Sequence, residues 1–187
     1  MPMLAWAQTA PDALVRSTTD DVVNIVKQDP DLMNGKSGKV DALVEAKILP
    51  HFDFAQMTKM AMGRNWNKAT PAQQSQLVDQ FRTLLVHTYA ASISSVSDYK
   101  IVVKPTRMNE SDTDVLVNTV VTRSGSAPIT IDYRMEKVDA NWMVYDVLVD
   151  NVSLVTSYRS SFNSEIRRSG IDGLIQALQN RNKHLDG

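Results

Sequence analysis

No cysteine occurs among the 187 residues, which excludes disulfides, thiolate metal sites and thiol nucleophiles. Neither sign of charge dominates. Twenty basic against 21 acidic side chains leave a formal net charge of −1, so there is no electrostatic footprint for nucleic acid or a strongly anionic membrane surface. No window approaches the ~18 uninterrupted apolar residues of a transmembrane helix. Internal repeats and low-complexity tracts are missing, as are a P-loop, a Gly-x-Gly-x-x-Gly and a His-Glu-x-x-His. What remains is 43% hydrophobic, ordinary for a globular protein and enough for one well-cored domain.

The most informative stretch runs from Asn141 to Val155. It reads as an apolar strand that turns at Asp150-Asn151 and leads into an amphipathic helix. Strict alternation puts Trp142, Val144 and Leu148 on one face and Met143, Tyr145, Val147 and Val149 on the other. Both faces are apolar, so helices, a partner or an apolar ligand must cover each side.

The amino-terminal half, residues 11–95, reads as helical. Leu14, Val15, Thr18, Val22, Ile25 and Val26 follow the helical period up to Asp29-Pro30. Val40, Leu43, Val44 and Ile48 predict a second helix ending before Pro50. Asp53 caps a third, with Gln56 three residues on, Phe52 and Met57 at the staple positions, and Gly63 as its stop. Thr70-Pro71 opens the longest helix, with Gln73 completing a capping box and a stripe of Leu77, Phe81, Leu84, Leu85 and Thr88 beside Tyr89.

The period then changes to two. Tyr99–Val103, Val115–Val121 and Ile129–Val138 read as strands, with Ser124-Gly125-Ser126 and Asp139-Ala140-Asn141 as turns. Ile129, Ile131, Tyr133 and Met135 share one face of the third. Within 153–181, one helix carries Val155, Tyr158, Phe162 and Ile166 and ends near Gly170; another begins near Asp172. Short turns between strands imply a meander. The fold class is therefore α+β: a curved antiparallel sheet of about four strands (99–150) covered by several helices, able to enclose an apolar cavity.

Catalytic signals are weak. His51-Phe52-Asp53 invites a metal or acid–base reading, but Asp53 has a capping role and His51 lies in the Pro50 turn. His87 sits mid-helix and His184 in the tail. Ser153 lacks a Gly-x-Ser-x-Gly elbow and fits a helix N-cap. Arg134, Glu136 and Asp146 fit ion pairing on a sheet face. The aromatic residues fit plain core. Ala5-x-Ala7 has the small-residue pattern of a signal-peptidase site, so residues 1–10 read as the remnant of an export signal and 11–187 as a single domain.

The order of landmarks adds a family. Phe52-Asp53, Gly63 with Trp66, Thr70 with Gln73-Gln74, Phe81, Leu84-Leu85 and Tyr89 are followed by Val117, Tyr133 and Trp142 with Val144-Tyr145-Asp146-Val147. Val152-Ser153-Leu154-Val155, Tyr158-Arg159, Phe162, Gly170 and Leu174-Ile175 complete the series. In this the chain resembles the MlaC family of periplasmic phospholipid-binding proteins, also called toluene-tolerance proteins. Relatives often carry Glu-Gly where this chain has Asp150-Asn151; Asn tolerates the left-handed conformation, so the turn should survive.

The resemblance implies a curved sheet packed on helices, acyl chains inside, a bound phospholipid as cargo and no cofactor. It also implies partners: an outer-membrane MlaA–porin complex and the MlaD ring of the inner-membrane MlaFEDB transporter. On that basis Leu85, Tyr89, Val117, Ile131, Tyr133, Tyr145, Val147, Val149, Val152, Tyr158 and Phe162 are expected to contact lipid tails. Arg159 is the candidate for the head group, with packing or an ion pair to Glu165 as its alternative. These face assignments assume unbroken alternation, and a slip of one residue would exchange half of them. Two other readings remain: a periplasmic enzyme acting on an apolar substrate, which needs Asp146 or Glu136 beside a His in the pocket, and an interaction module with an exposed apolar patch.

Overall fold

The structure, a computed structural model, describes residues 9–185. The Ala5-x-Ala7 pattern lies outside the described residues.

Helix α1 (Pro11–Gln28) starts with proline at its first position and buries Val15, Val22 and Val26. Asp29 breaks it with an extended backbone and caps the short α2 (Pro30–Met33) by accepting from the Asp31 amide. Helix α3 (Ser37–Leu43) widens into a π turn over Val44–Ile48 and then tightens into a 3-10 turn over Leu49–His51. The expected second helix is thus one helical run of changing pitch. Asp53 caps α4 (Phe54–Met62) through the Gln56 amide, and Gly63 ends it at φ 56°. Before α5 (Pro71–Tyr89) the Thr70–Gln73 capping box is complete in both directions. Thr88 departs from the expected stripe. It is exposed, and its hydroxyl donates to the Leu84 carbonyl. A nine-residue 3-10 segment, Ala90–Asp98, leads to the sheet.

The sheet is an antiparallel meander of β1 (Lys100–Val103), β2 (Asp114–Thr122), β3 (Ile129–Val138), β4 (Asn141–Val149) and β5 (Val152–Ser153), in that spatial order. The fifth strand is only two residues long, beyond the four expected. Asp150 and Asn151 both take positive φ (46° and 67°) to make the β4–β5 turn, as an Asx pair does with least strain. Ser153 then caps α6 (Leu154–Ser157) by accepting from the Thr156 amide. Helix α7 (Arg159–Leu185) is continuous except for a break at Gly170 (φ 75°), where two helices were expected to meet.

Alternation fails at one place. Arg134 pairs with Asp146 but Met135 pairs with Val144, leaving Tyr145 as the surplus residue of a β-bulge in β4. Below the bulge Trp142 and Val144 point to the inner face; above it Val147 and Val149 do. The expected split of this strand into two fixed sets is corrected accordingly. Tyr145 and Asp146 both end up on the outer face. There the Tyr145 hydroxyl donates to Asp114 at 2.7 Å.

Asp146 is fully buried. Its Oδ1 accepts from the Val147 amide at 2.9 Å and the Val155 amide at 3.2 Å, while Oδ2 accepts from Ser153 Oγ at 2.6 Å. Arg134 stands 4.0 Å away. One carboxylate thereby ties β4, β5 and the start of α6 together.

Three apolar clusters form around the sheet. Helices α4 to α7 share the first, around Phe81, Leu84, Met57, Val155, Phe162 and Leu178. The second joins Val15 of α1 to Val103, Val115, Val117, Met135, Trp142 and Val144 of the sheet. The third gathers Val22, Val26, Leu32, Val40, Leu43, Val44 and Ala90. They meet without merging.

Removing the Asp146 carboxylate strands two amides and a hydroxyl, so Asp146→Ala should lower stability by about 3 kcal/mol in urea unfolding, with Asp146→Asn recovering part of the loss. On the outer face, burial holds the Glu136 carboxyl above its ordinary 4.5, with repulsion from Asp53 and Asp114 adding to the effect and Lys59 opposing it. A carboxyl whose pKa rises on folding favours the folded state most at low pH and loses that advantage as pH climbs above 4.5. Glu136→Gln should therefore raise the melting temperature at pH 7 and by less at pH 4.

Candidate functional site

Where the three clusters fail to merge lies a cavity of about 660 Å³, in the middle of the usual range for ligand pockets. Each cluster lends it a wall. Met57, Leu85 and Phe54 come from the helical side, and Val144, Met135 and Val15 from the sheet and α1. Val22, Val44, Ile48, Ile93 and Val96 come from the third group. The wall is almost entirely apolar.

Its mouth follows from exposure. Tyr89, Ser92, Val149, Val152 and Ser157 line the space yet are exposed, Val152 at 64%. The end of α5 therefore frames one side of the opening and the β4–β5 hairpin with α6 the other. Depth can be read along the sheet register. Ile131 pairs with Val149 at the rim, Tyr133 with Val147 one step in, and Met135 with Val144 further down. The Phe52–Val144 bridge brings the Leu49–His51 turn to the same deep level.

Of the eleven residues expected at the lipid tails, seven line this cavity: Leu85, Tyr89, Ile131, Tyr133, Val147, Val149 and Val152. Four do not. Val117 shares the inner face with Tyr133, but it is fully buried within the second cluster, beside Val15 of α1. Tyr145 is carried to the outer face by the bulge. Tyr158 and Phe162 pack edge-on against Phe81, with ring centroids 5.1 and 5.2 Å away, inside the helical core. Arg159 is also displaced from the entrance. Its guanidinium donates twice to the Met60 carbonyl and its stem lies against Gly63.

Helices supply most of the lining that sequence reading missed: Leu14, Thr18, Thr19, Val22, Val44, Ile48, Leu49, Val86, Ile93 and Val96. Several lie on predicted stripes, but a stripe facing a void has the same period as one facing solid core.

The polar groups of the wall are few. His51 Nε2 and Thr18 Oγ1 stand 3.5 Å apart at the deep end. Asp53 is occupied as a helix cap, and among the described residues no group of three or more His, Asp or Glu side chains is placed to hold a metal. Neither of the carboxylates an enzyme reading requires is beside His51: Asp146 is engaged by Ser153 and two amides, and Glu136 lies on the outer face near Asp53 and Asp114. Burial alone pushes the Tyr133 phenol up to about 12. Tyr158 reaches about 12 through burial and its neighbour Tyr89. Both stay neutral hydroxyls at physiological pH.

An α+β meander wrapped on helices around an open-mouthed apolar cavity defines a receptacle for an elongated apolar ligand. Residues 16–180 match the family model of the MlaC protein, and the chain belongs to that family. It is 22% identical to the toluene tolerance protein Ttg2D of Pseudomonas putida, spanning 91% of this chain and 80% of that protein. It is 21% identical to the intermembrane phospholipid transport system binding protein MlaC of Haemophilus influenzae, over 94% and 83% of the two chains. A solved relative, the phospholipid-binding protein of Ralstonia solanacearum in complex with a phospholipid, superposes with a TM-score of 0.85. It is 41% identical over 94% of this chain and 98% of its own.

Val147→Trp places an indole in the cavity at the level of Tyr133 and should cut uptake of an apolar fluorescent probe at least tenfold. Arg159 does not line the cavity and its guanidinium is held by the Met60 carbonyl, so Arg159→Gln should leave uptake unchanged while costing about 1 kcal/mol of stability.

Proposed function

We propose that this protein is a phospholipid carrier of the periplasm. It takes a lipid by its acyl chains into the cavity and moves it between an outer-membrane MlaA–porin complex and the MlaD ring of the inner-membrane MlaFEDB transporter, with no catalytic step. The observation that carries this reading is the apolar cavity of about 660 Å³ with its mouth at the β4–β5 hairpin. Support comes from family membership and from relatives named for phospholipid binding and intermembrane phospholipid transport.

The energetics fit. Two acyl chains hold roughly 30 methylenes, each worth ~0.8 kcal/mol on leaving water, so an unescorted lipid would face a barrier on the order of 20 kcal/mol. A dry wall of valine, isoleucine, leucine and phenylalanine offsets that cost without directional contacts, so it tolerates varied chain length and unsaturation. Release demands that the bound state lie close in free energy to a bilayer, and an apolar wall meets this where a set of strong polar contacts would not.

Tyr89, Val149 and Val152 matter at the transfer step. Because they continue the cavity wall out to the surface, a docked acceptor can meet the lipid at the rim, keeping the chains out of water. Their exposed area is small, which suits brief contact over stable association.

Native mass spectrometry of protein purified without detergent should show an added mass, which solvent extraction identifies as phospholipid. Val147→Trp protein prepared in parallel should carry less than a tenth as much. Wild-type protein that emerges lipid-free and takes up none from vesicles would defeat the reading.

A further inference from the structure

The Tyr133 hydroxyl is a polar group of this site that no contact within the protein explains. Its ring enters the cavity from β3 at the level of Val147, yet the hydroxyl makes no hydrogen bond with any described residue. Of the other hydroxyls near the mouth, Ser153 donates to Asp146 and Ser157 to the Leu154 carbonyl, while Ser92 and Tyr89 stand at the exposed rim. Burial raises the phenol to about 12 with no bonding partner contributing, which agrees with a hydroxyl set in an apolar wall. Tyr133 is only half-buried and its hydroxyl borders the open cavity space. A ligand that fills the cavity displaces water from it, which is costly unless the ligand supplies a partner. A donor held there calls for an acceptor on the ligand.

Depth says which acceptor. Val149 and Ile131 mark the rim, and Tyr133 and Val147 lie two residues further in, about 7 Å along the strand. In a diacyl phospholipid with its phosphate at the mouth, the ester carbonyls are the first acceptors below the head group. Only hydrocarbon follows. We propose that Tyr133 donates a hydrogen bond to an ester carbonyl of the bound lipid, making it a specificity-determining residue for ester-linked chains. This deepens the phospholipid-carrier reading and rests on it. The bond anchors the glycerol end at a set depth while the rest of the wall stays indifferent to chain identity. An ether-linked lipid of the same head group and chain length lacks the carbonyl, and bound in the same pose it leaves the phenol unpaired.

The test is a competition. Protein is equilibrated with vesicles containing equal amounts of a diester phospholipid and its diether analogue with identical head group and chains. It is then re-isolated, and the bound lipids are quantified by mass spectrometry. Wild type should carry the diester in about five- to tenfold excess, the yield of one hydrogen bond. Tyr133→Phe should carry the two in near-equal amounts, with a melting temperature at or above that of wild type because no partner in the protein is lost. A wild-type ratio near one, or an excess that persists in Tyr133→Phe, overturns the role of Tyr133 while leaving the carrier intact. Uptake of neither lipid overturns the carrier reading and this inference with it.

Discussion

The β-bulge at Tyr145 is the constraint on which the site depends. A regular strand would send Val144 and Val147 to opposite faces, because side chains alternate with a period of two. The surplus residue brings Trp142 and Val144 below it, and Val147 and Val149 above it, onto one inner surface. That surface runs from the second cluster at the bottom to the rim at the top. The same slip turns two polar residues outward together, Tyr145 toward Asp114 and Asp146 toward Arg134. A long apolar wall and a polar fastening on its reverse side therefore come from a single local event.

The fastening holds the mouth in shape. Asp146 collects Ser153 and the Val155 amide, so the β4–β5 hairpin and the first turn of α6 cannot drift from the sheet without stranding a buried carboxylate. Since Val149, Val152 and Ser157 on those elements form one side of the opening, the acid acts as a positioning group for the rim. Ser153, Asp146 and His51 all lie around this site, but they are distributed between architecture and cavity wall. His51 is at the deep end, while Asp146 and Ser153 bind each other and the backbone.

Three apolar clusters that approach without fusing explain how a chain of this size keeps an interior space. Each has fully buried members: the helical one Phe81, the α1–sheet one Val117, and the third Val26. Phe52 packs against both the first and the second cluster, and elsewhere their shared boundary remains a cavity. Unusual helical pitch accompanies that boundary. The π turn at Val44–Ile48 and the 3-10 segment Ala90–Asp98 both contribute lining residues, consistent with the tendency of such geometry to occur at functional sites.

Local chemistry was legible in the residues themselves. Asp53 and Thr70 as caps, Gly63 and Gly170 as breaks, Asp150-Asn151 as a left-handed turn and the change from helical to strand period all act within a few residues of chain, so their geometry follows from side-chain type. Order of elements and short turns carried the α+β meander, and landmark spacing carried the family. Whether an apolar residue faces a void or a neighbour was decided only in three dimensions. Phe162 and Leu85 both belong to the helical core, yet Leu85 also reaches the cavity; Tyr145 and Val147 were expected on one face of the strand, yet a bulge parts them. Alternation predicts sides of a strand, not what lies beyond them, and a one-residue insertion in the pairing is invisible until the partner strand is in place. The sequence by itself determined which segments would be apolar. Tertiary packing decided which of those surfaces would meet and which would be left apart, because that depends on how far three separately formed cores can approach.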